Sequence, residues 1–248
     1  KFKKKIFRIN VLEKSLKRQQ LLKKKYKKKI YLVDSKKKKG SKKKFKYVFL
    51  SFKPKDLNNN LHIYKNLFDK NTIFYSLLAG KKLSDIKTFF PTSQNIIRLM
   101  LNTSISVNMG TVIFYSLKKT NSNELFLLKI IGKVYELKNE NLLNLFTALI
   151  GSGPVYFYYL LEAMEKAAIS HGIQKIFAKK IIKQMYSGTA KMIEKSEKSF
   201  KDFRKSITSK GGTTEEAINT LKKNNFEKTV NLSIKNSLKK AKILSLKK

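Results

Sequence analysis

The chain has 248 residues, of which 42% are hydrophobic, enough for a packed core in one large domain or two modest ones. The lack of cysteine excludes disulfides and thiolate metal sites, and His62 and His171 are too few and too far apart in sequence to predict a metal cluster. The formal net charge of +40 suggests a polyanion partner. However, lysine far outnumbers arginine while alanine and glycine are scarce, which favours the compositional bias of an AT-rich genome.

Neither a membrane span nor a signal peptide is predicted. No run of the sequence approaches the roughly 18 apolar residues that a membrane span needs. The basic first residues lack the apolar core of a signal peptide. We therefore expect a cytoplasmic protein without a membrane partner.

The first half of the chain alternates between strand-like and helix-like patterns. The predicted strands are residues 6–11, 30–33, 47–52 and 72–78, with helices over residues 12–26 and 57–68. Two more apolar runs between residues 96 and 117 flank Asn102, and a helical segment over residues 125–135 passes Gly132 into a last strand. Strands that alternate with helices predict a parallel sheet of the nucleotide-binding type.

After about residue 140 the strand pattern stops and helices are predicted. Pro154 opens one helix, and Gly172 closes it. The next helix carries an apolar stripe at steps of three or four residues, formed by Phe177, Ile181, Met185, Gly188 and Met192. A plain helical core explains this stripe, but its length and apolarity also suit a subunit interface.

The strongest local signal is a glycine pair, Gly211-Gly212, between hydroxyl residues and before a helix that runs to about residue 223. Paired glycines let the backbone approach a ligand, and free N–H groups at the helix start attract a carboxylate or phosphate. Thr213 or Thr214 is expected to cap the helix. An ordinary capped helix after a glycine turn explains the same pattern, so the turn alone leaves both interpretations open.

Three segments, in this order and spacing, resemble motifs of the pyrroline-5-carboxylate reductases: residues 148–156, 188–192 and 207–221. The resemblance extends upstream and covers the chain from about residue 6 to its end. It implies reduction of 1-pyrroline-5-carboxylate to L-proline by hydride transfer from NADPH or NADH, the last step of proline biosynthesis.

The resemblance also implies an α/β architecture in two domains. Residues 1–140 would form a Rossmann-like parallel sheet domain that binds the cofactor. Residues 141–248 would form an all-α dimerisation and substrate-binding domain that intertwines with its twin. The expected partners are therefore a second copy of the chain, in a homodimer or higher homo-oligomer, and a small-molecule substrate.

By the same resemblance, the cofactor would lie at the carboxyl ends of the sheet strands, where open parallel sheets bind ligands. Cations beside the adenosine ribose would favour the phosphate of NADPH. The cofactor-binding residues implied are Lys14, Ser15, Arg18, Lys53, Pro54, Ala79, Gly80, Asn102 and Ser206.

For the substrate, the resemblance implies that the glycine turn cradles the carboxylate and that Thr214 places its hydroxyl against the ring nitrogen, as the catalytic contact. The hydride chemistry belongs to the cofactor, so the protein would mainly supply orientation and a dry pocket. Glu140 and Glu197 also match family positions near the site, although a solvated surface role fits either of them. The other residues implied in substrate binding are Ser209, Gly211, Gly212 and Thr213.

The sequence departs from the family pattern at several positions. No G-x-G-x-x-G motif precedes Lys53, and residues 6–11 correspond to the family's second strand, so the first strand, glycine loop and first helix would lie upstream of Lys1. We expect a sequence truncated at its start, with a reduced or decaying gene as the alternative. Both prolines of the family's loop around Asn102 are replaced. Lys210 replaces a proline, and Lys205 stands where an acid is usual.

Three alternatives remain open at this point. A β-hydroxyacid-dehydrogenase-like oxidoreductase would use Lys191 as its acid, but the glycine turn fits the imine reductase better. An inactive or degenerate reductase relative and a basic polyanion-binding protein are the others. Nucleic acid is expected to bind only nonspecifically, because the lysines are not interleaved with an aromatic platform.

Overall fold

The structure is a computed structural model, and it describes residues 8–33, 44–52, 54–56, 67–91 and 95–246. Lys53, His62 and almost all of the helix predicted over residues 57–68 lie outside the described residues.

The lysine-rich N-terminal region folds as a strand, a helix and a second strand, as predicted. Strand β1 (Ile9–Val11) pairs in parallel with β2 (Ile30–Leu32), and α1 (Leu16–Tyr26) lies between them in sequence. Helix α1 starts after residue 15 rather than at residue 12, because the Ser15 hydroxyl accepts a hydrogen bond from the Arg18 N–H at 3.4 Å and caps the helix.

A second sheet of five strands has the order β3-β4-β5-β6-β7. The pairs β3–β4 and β6–β7 are parallel, which confirms the predicted parallel-dominated sheet. Every residue of β4 is buried, as expected for a strand covered on both faces. The strands are β3 (Tyr47–Leu50), β4 (Ile73–Ser76), β5 (Ile96–Leu101), β6 (Gly110–Ser116) and β7 (Gly132–Glu136).

Aromatic side chains build the core around β4. The rings of Phe74 and Phe90 stack with centroids 4.1 Å apart, and Phe68 meets Phe74 edge-on at 5.2 Å. Such pairs add to the stabilisation that burial alone provides. Helix α2 (Leu83–Lys87) contributes two fully buried side chains, Leu83 and Ile86.

Helix α3 (Ser122–Ile131) leads directly into β7 at Gly132, as the sequence predicted. It starts with a capping box, in which the Asn121 side chain accepts from the Glu124 N–H at 3.1 Å and Glu124 accepts from the Asn121 N–H at 2.7 Å. At the strand start, a Cβ on Gly132 would overlap the carbonyl of Gly110 on the paired strand. The close approach of β6 and β7 therefore requires glycine at this position.

From residue 140 to residue 246 the described chain is helical, which confirms the prediction for the second half. A 3₁₀ turn (Glu140–Leu142), a short helix α4 (Leu143–Phe146) and a π-helical turn (Thr147–Gly151) come first. Pro154 lies in the first turn of the next helix, and Gly172 follows its end with a φ of +88°. The remaining helices are α5 (Gly153–Ser170), α6 (Lys175–Glu194), α7 (Phe200–Ser206), α8 (Thr213–Lys223) and α9 (Phe226–Leu246).

The chain divides into two compact units. One consists of Lys1–Leu78 and Leu83–Ile97, and the other of Ala79–Lys82 and Arg98–Lys248. The short turn Ala79–Lys82 thus belongs to the unit that contains the helices. The domain boundary near residue 140 stays a prediction.

Helices α5 and α6 expose much of their apolar surface when the chain is considered alone. In the predicted stripe of α6, Phe177, Ile181, Met185 and Met192 are all exposed. An exposed apolar stripe of this length is typical of a surface that packs against another chain. Of the helices that the structure describes, none is long and apolar enough to cross a membrane.

Candidate functional site

One face of β5 is joined to the start of the helical region by a buried ion pair. The Arg98 Nη1 donates to the Glu140 Oε1 at 2.9 Å, and the two side chains are only 8% and 16% exposed. Arg98 lies in a buried strand, so its charge needs such a partner. The predicted contact of Glu140 with the substrate stays a prediction, but the structure engages this carboxylate with Arg98.

The next residue on the same face of β5 packs against the π-helical turn. The Thr147 hydroxyl lies 3.2 Å from the Met100 sulfur, and the same hydroxyl donates to the Leu143 carbonyl at 2.8 Å. A Cβ on Gly151 would overlap the terminal methyl group of Met100. The segment that resembles the first family motif is therefore fitted closely to β5.

Asn102 directly follows β5 and continues the series of every second residue that Arg98 and Met100 begin. Its Oδ1 accepts a hydrogen bond from the Thr111 N–H of β6 at 3.1 Å. This bond fixes the orientation of the amide, so the Nδ2 group is the donor that Asn102 can offer to a ligand.

The glycine turn before α8 differs from the expectation in how its N–H groups are used. Gly211 adopts a φ of +72°, in the left-handed region that favours glycine, and its N–H donates to the Glu215 Oε2 at 2.7 Å. The Gly212 N–H donates to the Ser209 carbonyl at 3.2 Å. The Glu215 carboxylate thus already accepts from the Gly211 N–H, which was one of the donors predicted for the substrate carboxylate.

The prediction that Thr213 or Thr214 caps α8 is wrong. Gly212 takes the N-cap position with an extended backbone, and both threonines lie inside the first turn. The N–H groups of Thr213 and Thr214 have no acceptor in the part of the chain that the structure describes. These two N–H groups lie at the positive end of the helix dipole, and their binding of a carboxylate stays a prediction.

The predicted substrate residues from Ser209 to Thr214 are brought together by this single turn. Glu197 lies on the exposed connection between α6 and α7, apart in sequence from the turn. Ser206 ends α7, and its hydroxyl donates to the Phe203 carbonyl at 2.8 Å.

The predicted adenosine-end residues cluster at the start of α1. Lys14 is exposed, and Ser15 caps the helix. The Arg18 guanidinium lies 3.9 Å from the Glu13 carboxylate and is 74% exposed, so this charge stays available to solvent. Pro54 begins a 3₁₀ turn (Pro54–Asp56) that follows β3.

The turn after β4 carries the other predicted cofactor contacts. Gly80 has a φ of +78°, and Ala79 before it is exposed. A Cβ on Gly80 would overlap the Cα of Ser245 in α9. Glycine is therefore required here both by the backbone conformation and by the space that α9 leaves.

Lys191, the acid of the alternative dehydrogenase mechanism, is engaged on the surface of α6. Its Nζ donates to the Glu194 Oε2 at 2.7 Å. The hydrogen bond and charge of Lys191 lower the pKa of Glu194 below its ordinary value.

Comparison with known proteins reveals the relatives of this chain. A family model described as pyrroline-5-carboxylate reductase dimerisation matches residues 140–244. Pyrroline-5-carboxylate reductase 2 of Bacillus subtilis is 35% identical over 187 residues, which cover 74% of this chain and 66% of the relative. The pyrroline-5-carboxylate reductase of Staphylococcus haemolyticus is also 35% identical over 187 residues, covering 73% of this chain and 68% of the relative. The chain belongs to the pyrroline-5-carboxylate reductase family.

Solved structures agree with this assignment. A pyrroline-5-carboxylate reductase from Coxiella burnetii superposes with a TM-score of 0.80 at 26% identity, over 97% of this chain and 89% of that one. The structure of Plasmodium falciparum pyrroline carboxylate reductase with NADP bound has a TM-score of 0.73 over 95% of this chain and 91% of that one. The Plasmodium structure is 21% identical to this chain and has the same fold.

These findings confirm the predicted family and the predicted order of a Rossmann-like domain followed by a helical one. The match over residues 140–244 is to the family's dimerisation domain, which supports assembly with a second copy. The matched region spans about two thirds of the curated relatives, 66% and 68% of their lengths.

Two residues with clear structural roles were missed from the sequence. Arg98 was assigned no role from the sequence, although an arginine inside a buried strand signals a buried partner. Glu215 was not assigned, although an acid at the third helical position is a known partner for N–H groups just before the helix.

Proposed function

We propose that the chain reduces 1-pyrroline-5-carboxylate to L-proline with NADPH or NADH, within a homodimer or higher homo-oligomer. The observation that carries this proposal is the glycine turn in a chain of this family. Its helix start offers two open N–H groups beside the hydroxyl of Thr214, a pattern suited to a small carboxylate with a basic nitrogen next to it.

The substrate carboxylate would bind the N–H groups of Thr213 and Thr214. Such charge-assisted bonds are stronger than neutral ones and fix the orientation of the ring. Thr214 would direct its hydroxyl to the ring nitrogen, which must gain a proton as the imine carbon gains a hydride. When bound, the nicotinamide supplies that hydride. The chain's own contribution is therefore orientation and proton delivery at the nitrogen.

The residues available for the cofactor have suitable chemistry. The exposed guanidinium of Arg18 and the ammonium of Lys14 suit an adenosine-end phosphate. The Nδ2 of Asn102 is oriented as a donor, since its Oδ1 already accepts from Thr111. In the turn after the buried strand β4, Ala79 is exposed and can contact a ligand. These contacts are proposals, as is the preference for NADPH, and the cytoplasmic location also stays a prediction.

The test is oxidation of NADPH that depends on pyrroline-5-carboxylate, measured on the protein from its full reading frame. Thr214→Val removes one hydroxyl and keeps nearly the same volume, so turnover should fall about ten-fold or more with the fold intact. Thr220→Val is the matched control, because it makes the same change at an exposed position of the same helix.

Unchanged kinetics in Thr214→Val would remove this residue from the mechanism. A wild-type protein that oxidises NADPH only with the carbonyl compound corresponding to a β-hydroxyacid would instead favour the alternative dehydrogenase. A wild-type protein without reductase activity would favour the degenerate relative or the basic polyanion-binding protein.

A further inference from the structure

The last turn of α9 packs against the turn that is proposed to bind the cofactor. A Cβ on Gly80 would overlap the Cα of Ser245 and would lie 2.9 Å from both the Cβ and the backbone nitrogen of that serine. Contacts this short leave no space for a side chain at position 80. The residues Ala79–Lys82 accordingly group with the helical unit, although the chain just before them, up to Leu78, does not.

Helix α9 is also held near its middle. The hydroxyls of Ser237 and Ser152 lie 3.4 Å apart, which links α9 to the end of the π-helical turn. Ser245 follows Ser237 by eight residues, so about 12 Å of helix separates the two contacts. A helix fixed over this length is a rigid support for whatever rests on its end.

The side chain of Ser245 is occupied within its own helix. Its hydroxyl donates to the Lys242 carbonyl at 2.6 Å. Ser245 therefore acts on the turn by its size and by the course of its backbone, not by a polar contact. A small residue is needed here, because a larger one would push either α9 or the turn away.

We infer that the last turn of α9 positions the Ala79–Gly80 turn for the cofactor, with Ser245 as the positioning residue. The inference rests on the proposed function, since it concerns the cofactor site of that reaction. It makes α9 a support for the dinucleotide as well as a part of the helical domain.

The kinetic test compares Ser245→Leu with Ser233→Leu on the protein from its full reading frame. Ser233 is an exposed serine of the same helix, and its hydroxyl also donates to a helix carbonyl, that of Thr229, at 2.8 Å. Ser245→Leu should raise the KM for NADPH about five-fold or more, while the KM for pyrroline-5-carboxylate and kcat at saturating NADPH stay within about two-fold. Ser233→Leu should change none of the three.

A second readout does not need turnover. These 248 residues contain no cysteine, so within them Ser245→Cys and Ser233→Cys each introduce a single thiol whose reaction with a maleimide can be followed. NADPH should slow labelling at position 245 about five-fold and leave labelling at position 233 unchanged.

The two readouts separate the inference from the proposed function. Protection of position 245 by NADPH in a protein without reductase activity would support the inference while the proposed function fails. An active enzyme in which Ser245→Leu keeps the wild-type KM for NADPH would overturn the inference.

Discussion

Loss of the Arg98–Glu140 ion pair should destabilise the protein far more than loss of a shorter pair on its surface. At 2.9 Å and an effective dielectric constant of about 20, the attraction between the two charges is about 6 kcal/mol, before the cost of removing them from water. Arg98→Met removes the Arg98 guanidinium from the largely buried Glu140 carboxylate. Removing one member of a buried pair typically costs about 3–5 kcal/mol. Because Glu140 keeps some exposure, we expect Arg98→Met to lower the free energy of unfolding by about 3 kcal/mol, the lower end of this range.

The matched control is Lys166→Met in α5. Lys166 and Glu162 lie only 2.6 Å apart, but their side chains are 71% and 54% exposed. Solvent screens this pair, so the free energy of unfolding should hardly change. Urea denaturation at fixed protein concentration measures both variants, since an oligomer's stability depends on concentration.

The double variant Arg98→Met with Glu140→Met completes the experiment. With both charges gone, no isolated charge remains buried, and most of the lost stability should return. If Arg98→Met lowers the free energy of unfolding no more than Lys166→Met does, burial does not determine how much these ion pairs stabilise the protein, and the reasoning fails.

Three further predictions concern the surface of the helical region and the lysine excess. Ile181→Glu should separate the subunits, as measured by light scattering. Lys183→Glu changes an exposed residue of the same helix and should leave the subunits together. A wild-type chain that is monomeric at micromolar concentration would contradict this. Lys191→Met should raise the pKa of Glu194 back toward its ordinary value in an NMR titration. Since the folded pKa is lowered, this contact stabilises the protein above the ordinary carboxyl pKa, and the contribution is lost as the pH falls through the lowered value. DNA binding should be abolished by physiological salt, and sequence-selective binding that persists there would favour the polyanion-binding alternative.

The sequence predicted the elements of the fold well where the pattern was local. The apolar runs of β5 and β6, the passage from α3 through Gly132 into β7, and the helix opened by Pro154 all follow from residues close together in the chain. Hydrophobic periodicity and turn residues act over such short distances, so they can be recognised without tertiary information.

The contacts that shape the candidate site were not predictable in the same way. Arg98 and Glu140 are 42 residues apart, and no local pattern pairs them. The packing of Ser245 on Gly80 joins segments still farther apart. Even at the glycine turn, the residue types were identified, but the partner of the Gly211 N–H depended on which way the Glu215 side chain folds back.

The π-helical turn Thr147–Gly151 has a consequence for how this segment tolerates change in length. The Ser152 N–H donates to the Thr147 carbonyl at 3.0 Å, five residues earlier, so the turn holds one residue more than an α-helical turn. Deleting one residue would restore ordinary helical pitch but rotate everything after it by about 100° relative to what precedes it. The Tyr156 hydroxyl, now 3.1 Å from the Ala148 carbonyl, would swing to another side of the helix. The segment should therefore reject a single-codon deletion, because the residues on its two sides would no longer face the partners they contact now.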